Sequence, residues 1–230
     1  MDRSPIPDAL ERVRGEVHAA ARAAGRAPES VRIVAVSKLQ GPEAVRAAFA
    51  AGQRDFGETY AQELGRTADA LEALAGLRWH FIGHLQRNKV KEVAPRAAVV
   101  HTVDRAELAL ELERRAAVLG RRLEVLVQVN VAGEAQKSGC RPAELGAVLE
   151  AVARAPHLAA VGLMTMPPLE HDAARNRPCF AALRELRDRH GGARLLPELS
   201  MGMSGDFAVA IAEGATIVRI GTAIFGARGG

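Results

Sequence analysis

The sequence predicts an α/β fold: a single (β/α)8 barrel of the TIM type, with an extra helix at its N-terminus. Three observations carry that expectation. Eight short apolar runs recur along the 230 residues. Segments with helical spacing of apolar side chains fill most of the gaps, so each strand-and-helix unit takes roughly 20–35 residues, as parallel βα units do. No GxGxxG turn follows the first strand, which disfavours an open, doubly wound sheet. The length suits a closed barrel, for which about 250 residues is typical. No Pro/Ser-rich linker divides the chain, so residues 1–230 are expected to form one domain.

The elements follow in order. An amphipathic helix spans about 7–25. The first strand, near 31–37, is apolar apart from Arg32 and runs into Lys38. Helical spacing over 42–51 leads to strand two near 54–57, and over 59–75 to strand three near 78–82. A helix near 87–94 precedes strand four, 97–102, and one near 105–119 precedes strand five, 123–130. The pattern then gives a helix at 142–154, strand six at 158–163, a helix at 172–189 and strand seven at 195–199. A helix at 204–213 and strand eight at 216–221 complete it. Strands three, five and eight are the most distinct of these runs.

Composition narrows the function. The chain is 48% hydrophobic but only 3% aromatic, and its net charge of +4 comes from arginines interleaved with 27 acids. Few stacking platforms and no basic cluster argue against nucleic-acid binding. Cys140 and Cys179 lie far apart, so neither a disulfide framework nor a cysteine zinc site is supported. The polar start (Met1 to Pro5) carries no signal-peptide core, and no apolar run is long enough to span a bilayer. The expectation is a soluble, cytoplasmic protein.

Only four lysines stand among 31 basic residues, and one of them, Lys38, closes the first strand. A guanidinium stays charged, whereas a lysine amine can deprotonate and attack a carbonyl. Lys38 is therefore a candidate for a Schiff base, against the plainer alternative of an ion-paired lysine at a strand end. In a barrel, chemistry sits at the C-terminal strand ends, and phosphate is commonly held after strands seven and eight. Strand seven is followed by Ser200-Met201-Gly202-Met203-Ser204-Gly205-Asp206, a small-residue turn that opens a helix. Strand eight ends Arg219-Ile220-Gly221-Thr222. Glycines let backbone amides approach an anion, a helix N-terminus favours it, and the Ser204 and Thr222 hydroxyls can donate. Met203, Ser204, Gly221 and Thr222 are thus candidate phosphate-side residues, and a phosphorylated aldehyde fits the set. Arg219 shares a strand face with Ile217 and Gly221. Outward it would need a carboxylate among the helices, and inward it would reach the mouth; in either place burial demands a partner.

These segments, taken in order, closely resemble the pyridoxal phosphate homeostasis protein family, also called proline synthase co-transcribed proteins. The resemblance rests on Val34-Ala35-Val36-Ser37-Lys38, Phe56 to Glu63, Trp79 to Lys89, Gln128-Val129-Asn130, Lys137-Ser138-Gly139, Gly162 to Thr165, Leu199 to Ser204, and Arg219 to Gly226. It covers nearly the whole chain. It implies a fold-type III barrel like the N-terminal domain of alanine racemase, binding pyridoxal 5′-phosphate (PLP) through an internal aldimine on Lys38. It further implies that Ser204, Gly221 and Thr222 hold the phosphate and that Arg219 lies by the pyridine nitrogen. The family usually has Asn where this chain has Thr59.

An arginine beside the pyridine nitrogen makes the ring a poorer electron sink. Racemases of this fold use a second base, a tyrosine from a further domain. The single tyrosine here is Tyr60, just after strand two. The expectation is a non-enzymatic PLP carrier with apo PLP-dependent enzymes as candidate recipients, acting as a monomer. A PLP-dependent amino-acid racemase is the alternative, and an aldolase-type sugar-phosphate enzyme a third. His80 and His84 are expected to be structural rather than a metal pair. Lys137 is read chiefly as a solvated loop charge, with a second, looser or outgoing PLP as its alternative, Lys89 and Lys91 as helix-surface residues, and Glu58 and Asn130 as strand-end residues that either line the mouth or satisfy backbone groups.

Overall fold

Apolar residues three and four apart make Ile6–Ala23 (α1) a helix with one buried face, formed by Ile6, Leu10, Val13, Val17 and Ala21. Asp8 in its first turn and Arg22 in its last complement the helix dipole. Gly25, at φ +68°, takes the left-handed turn that ends it. In the computed structural model, residues 5–134, 136–168 and 172–226 are described, so the polar start from Met1 to Ser4 lies outside the described residues.

Eight strands follow: β1 (Arg32–Val36), β2 (Asp55–Glu58), β3 (Arg78–Phe81), β4 (Val99–Val103), β5 (Leu123–Gln128), β6 (Leu158–Met164), β7 (Glu198–Ser200) and β8 (Ile217–Ile220). Between them lie α2 (Pro42–Ala50), α3 (Ala61–Ala70), α4 (Val90–Val93), α5 (Ala106–Val118), α6 (Leu145–Ala153), α7 (Arg177–Arg189), α8 (Gly192–Leu195) and α9 (Phe207–Ala212), with α10 (Thr222–Phe225) after β8. The strands pair in sequence order, all parallel, and β8 closes on β1 with Arg32 opposite Ile217 and Val34 opposite Arg219. The predicted eight-stranded barrel with its additional N-terminal helix is the observed architecture.

Several predicted boundaries shift. The run at 195–199 contains the end of α8 and only the beginning of β7, because Pro197 lacks an N–H for the ladder and pairing starts at Glu198. The helix expected over 59–75 stops at Ala70, and the one over 87–94 begins as a tight 3₁₀ turn at Arg87–Lys89. Strand five ends at Gln128, with an isolated bridge from Val129 to Cys140 beyond it.

Strand alternation sorts the side chains into two layers. One face builds the main core against the helices, where Phe56, Phe81 and Phe180 are the largest fully buried side chains. The other fills the barrel, with a small apolar layer of Val99, Leu126 and Met164. Beside that layer the interior is polar: Ser200, His80, His101 and Arg219 are all buried. No helix among the described residues is long and apolar enough to cross a membrane.

Candidate functional site

Val36 and Lys38 share the inward face where β1 reaches the C-terminal mouth, and there they meet the end of β8. A cavity of about 90 Å³ is lined by Val36, Lys38, Gln40, Gly221, Thr222, Phe225 and Gly226. The turn after β7 joins from the side: the Thr222 hydroxyl donates to the Ser204 hydroxyl at 3.4 Å. The structure thus brings Lys38, Gly221, Thr222 and Ser204 to one rim. A side chain at Gly221 would crowd Val36, whose carbonyl oxygen lies 3.3 Å from the Cβ position. The backbone N–H groups of Ser204, Gly205 and Thr222 donate to no backbone acceptor among the described residues. Free amides and paired hydroxyls at two adjoining turns form a donor set for a phosphate-sized anion. Both helices that the turns open are short, so the donors matter more than any helix dipole.

Met203 takes a different part. Its N–H donates to the Asp206 carboxylate at 2.7 Å, and its carbonyl accepts from the Asp206 and Phe207 N–H groups. Its backbone holds the turn in shape rather than offering a donor. Asp206 is anchored in turn by the Asn176 amide at 2.8 Å. Gly202, at φ +91°, lies where a Cβ would come 2.6 Å from that of Ala210, so the turn tolerates only glycine there.

Arg219 faces inward and is 3% exposed. Its guanidinium donates to the Ser200 hydroxyl at 2.7 Å and to the Thr165 carbonyl at 3.0 Å. Burial lowers it to about 10, with the charge of Asp206 opposing.

Tyr60, whose orientation the sequence left open, stands beside the candidate nucleophile: the Lys38 Nζ lies 5.0 Å from its ring centre, a cation–π contact. Thr59 has a buried hydroxyl with no partner among the described residues, at the position where the family pattern usually has Asn. Glu58 does not line the mouth. It turns to the helix layer, where its Oε1 accepts from the Ser37 hydroxyl at 2.6 Å and its Oε2 is buried without a partner. Burial pushes its carboxyl up to about 7, against the Ser37 hydrogen bond. The folded pKa lies above the unfolded one, so this residue favours folding below about pH 4.5 and loses that advantage as pH rises to about 7. The loss is on the order of 3 kcal/mol. Glu58→Gln is expected to flatten the fall in stability between pH 5 and 8, measured by urea unfolding; a fall as steep as in the unsubstituted protein would show that another group titrates.

Most of the remaining candidates have structural partners. Asn130 donates to the carbonyls of Glu134 and Lys137, and Lys137 pairs with Glu134 at 2.8 Å, so both shape the loop after β5. Lys89 pairs with Glu92, and Lys91 is exposed. Cys140 and Cys179 are free thiols. His84 bonds Ser138, whereas His80 bonds Asp55 and His101 inside the barrel. That interior group of Asp55, His80, His101 and Ser200 was not anticipated. Its signal was a polar residue at an inward position in each of four strands.

Comparison with known proteins supplies a frame for this geometry. The family described as alanine racemase, N-terminal domain, matches residues 10–229. The pyridoxal phosphate homeostasis protein of Pseudomonas aeruginosa is 49% identical over 228 residues, covering 98% of this chain and 96% of that one. Among solved structures, PipY of Synechococcus elongatus with PLP bound has a TM-score of 0.83 at 37% identity, covering 96% of this chain and all of that one. The alanine racemase of Corynebacterium glutamicum, at 19% identity and a TM-score of 0.68 over 96% of this chain and 62% of that one, shares the fold. With that identity over nearly its full length and the same barrel, the chain belongs to the pyridoxal phosphate homeostasis protein family.

Proposed function

We propose that this protein binds PLP in the mouth of the barrel, holds it covalently on Lys38, and carries or buffers the cofactor without turning over an amino acid. One observation carries the proposal: Lys38 and the Gly221-Thr222 turn line a single cavity, with Ser204 against Thr222. The residues present fit the group. PLP would supply an aldehyde for the Lys38 amine and a phosphate for the amides and hydroxyls of the two turns. Arg219, on the inward face of β8, is the residue that would meet the ring nitrogen. Condensation of an aldehyde with an amine gives off only water and is reversed by water, so the chemistry PLP would supply at Lys38 would need no further reactant for loading or release. A PLP-bound relative at 37% identity and relatives named as homeostasis proteins support the carrier role.

A racemase is the second reading, and the contact of Tyr60 with Lys38 favours it, since a phenol beside the amine could act as a proton carrier. One preparation separates the readings. Carrier protein is expected to absorb in the visible as purified, to retain PLP on Lys38 after borohydride reduction and peptide mapping, and to place no solvent deuterium in the α-position across an amino-acid panel. Catalytic deuterium incorporation would replace the carrier by an enzyme, and protein without chromophore or PLP uptake would remove both. A monomeric, cytoplasmic carrier that delivers PLP to apo enzymes is part of the proposal.

A further inference from the structure

The polar interior of the barrel has a direction. A guanidinium carries only donors. Arg219 therefore donates to Ser200, at 2.7 Å, and the single hydroxyl proton of Ser200 is left to point elsewhere. Its other partner is the His101 Nδ1 at 2.9 Å, which among the described residues is the acceptor available to that proton. A neutral His101 then carries its proton on Nε2, which donates to the His80 Nδ1 at 2.8 Å. His80 in turn carries its proton on Nε2 and donates to the Asp55 carboxylate at 2.8 Å. Every link accepts on one side and donates on the other. A reversed chain would need a protonated Asp55 at one end and, at the other, a Ser200 proton with no acceptor among the described residues.

The surroundings keep both rings neutral. Burial lowers the His80 imidazole despite the opposing Asp55, with Arg78 and Arg32 adding to the lowering. Burial holds His101 well below its ordinary value, and His80, Arg219 and Arg32 act in the same sense. At the far end burial alone would raise Asp55, but the hydrogen bond from His80 and the charges of Arg32 and Arg78 oppose it and hold the carboxyl below its ordinary value.

We propose that Asp55, His80, His101 and Ser200 are positioning residues for Arg219: a one-way hydrogen-bond chain, anchored on a carboxylate at the N-terminal end of β2, fixes the guanidinium in the opposite mouth. Its bearing on PLP rests on the site proposed above; its direction does not. The chemistry served is recognition of the aromatic ring nitrogen, because a guanidinium held in one orientation presents its remaining N–H groups at a fixed place. The chain also ties ligand recognition to a residue on the other side of the barrel, beyond contact with any molecule in the mouth.

Nitrogen-15 NMR of PLP-free protein at neutral pH tests the direction. Both histidines are expected to show a bare Nδ1 and a protonated Nε2; an imidazolium, or an Nδ1–H form of either ring, overturns the chain. Asp55→Ala removes the terminal acceptor. It is expected to mix the His80 tautomers, shift the visible maximum of bound PLP and raise its Kd by about tenfold. Asp55→Asn, whose carboxamide oxygen still accepts from Nε2–H, is expected to restore all three. Ser200→Ala should move the same band in the same direction, and adding Asp55→Ala to it should change little more. A lower Tm in Asp55→Ala with band and Kd unchanged would reduce the group to packing and overturn the proposal. Unsubstituted protein that takes up no PLP would sink the site itself, while the tautomers still decide the chain.

Discussion

Lys38→Ala protein is expected to lose the borohydride-fixed PLP adduct completely and to bind PLP at least a hundredfold more weakly, a loss of about 2.8 kcal/mol. The donors proposed for the phosphate at Ser204, Gly205 and Thr222 remain, so residual binding should be reversible and compete with inorganic phosphate. Lys38→Arg keeps a positive charge against the Tyr60 ring but offers no amine that can form an imine. It should match Lys38→Ala in lacking the adduct, which separates covalency from electrostatics. Peptide mapping after reduction is the measurement. An adduct that persists at another residue, such as Lys137, would place the covalent site on the β5 loop and end the present proposal.

The largest effect on stability is expected at Gly162. This residue lies in β6 opposite Glu198 of β7, and a Cβ there would come 2.0 Å from the Glu198 carbonyl oxygen and 2.6 Å from its carbon. Backbone cannot swing aside as a flexible side chain can, so Gly162→Ala must separate two paired strands or twist one of them. The cost should be on the order of 3–5 kcal/mol, which for a chain of this size lowers Tm by roughly 6–20 °C. Gly15 provides the contrast. It sits within α1 with nothing within 4 Å of its Cβ position, so Gly15→Ala should stabilise by about 0.5–1 kcal/mol through helix propensity alone. Thermal melts of the two variants decide the matter, and a Gly162→Ala protein melting near the unsubstituted one would show that β6 and β7 can part without penalty.

Much of this was legible in the chain because it is local. Strands and helices were visible through amphipathic spacing, and Lys38 with the two turns through residue types that stay contiguous. The Lys38 cavity needed only the barrel rule that strand ends share one mouth. The hydrogen-bond chain was hidden for the opposite reason: Asp55, His80, His101, Ser200 and Arg219 come from five strands, and each looks alone like an isolated polar residue in an apolar run. Their common inward face emerges only from the register of neighbouring strands. The contact between Tyr60 and Lys38 depends on a loop conformation that no periodicity encodes. Strand seven was misplaced because Leu195 and Leu196 look like strand residues although they precede Pro197.

The Arg12 guanidinium donates to the Ala223 carbonyl across 211 residues of sequence, and Arg26 reaches the carbonyls of Ile211 and Ala215. The leading helix and the turn that follows it thus brace the last two helices, one of which begins at Thr222. During synthesis Lys38 emerges early, and Ser204, Gly221 and Thr222, the residues proposed to hold the phosphate, almost last. Until β8 docks on β1, a nascent chain has an amine but no cradle for the anion. Occupancy by the ligand would therefore report that the ring of strands has closed, and a ligand present at that moment would lock the seam.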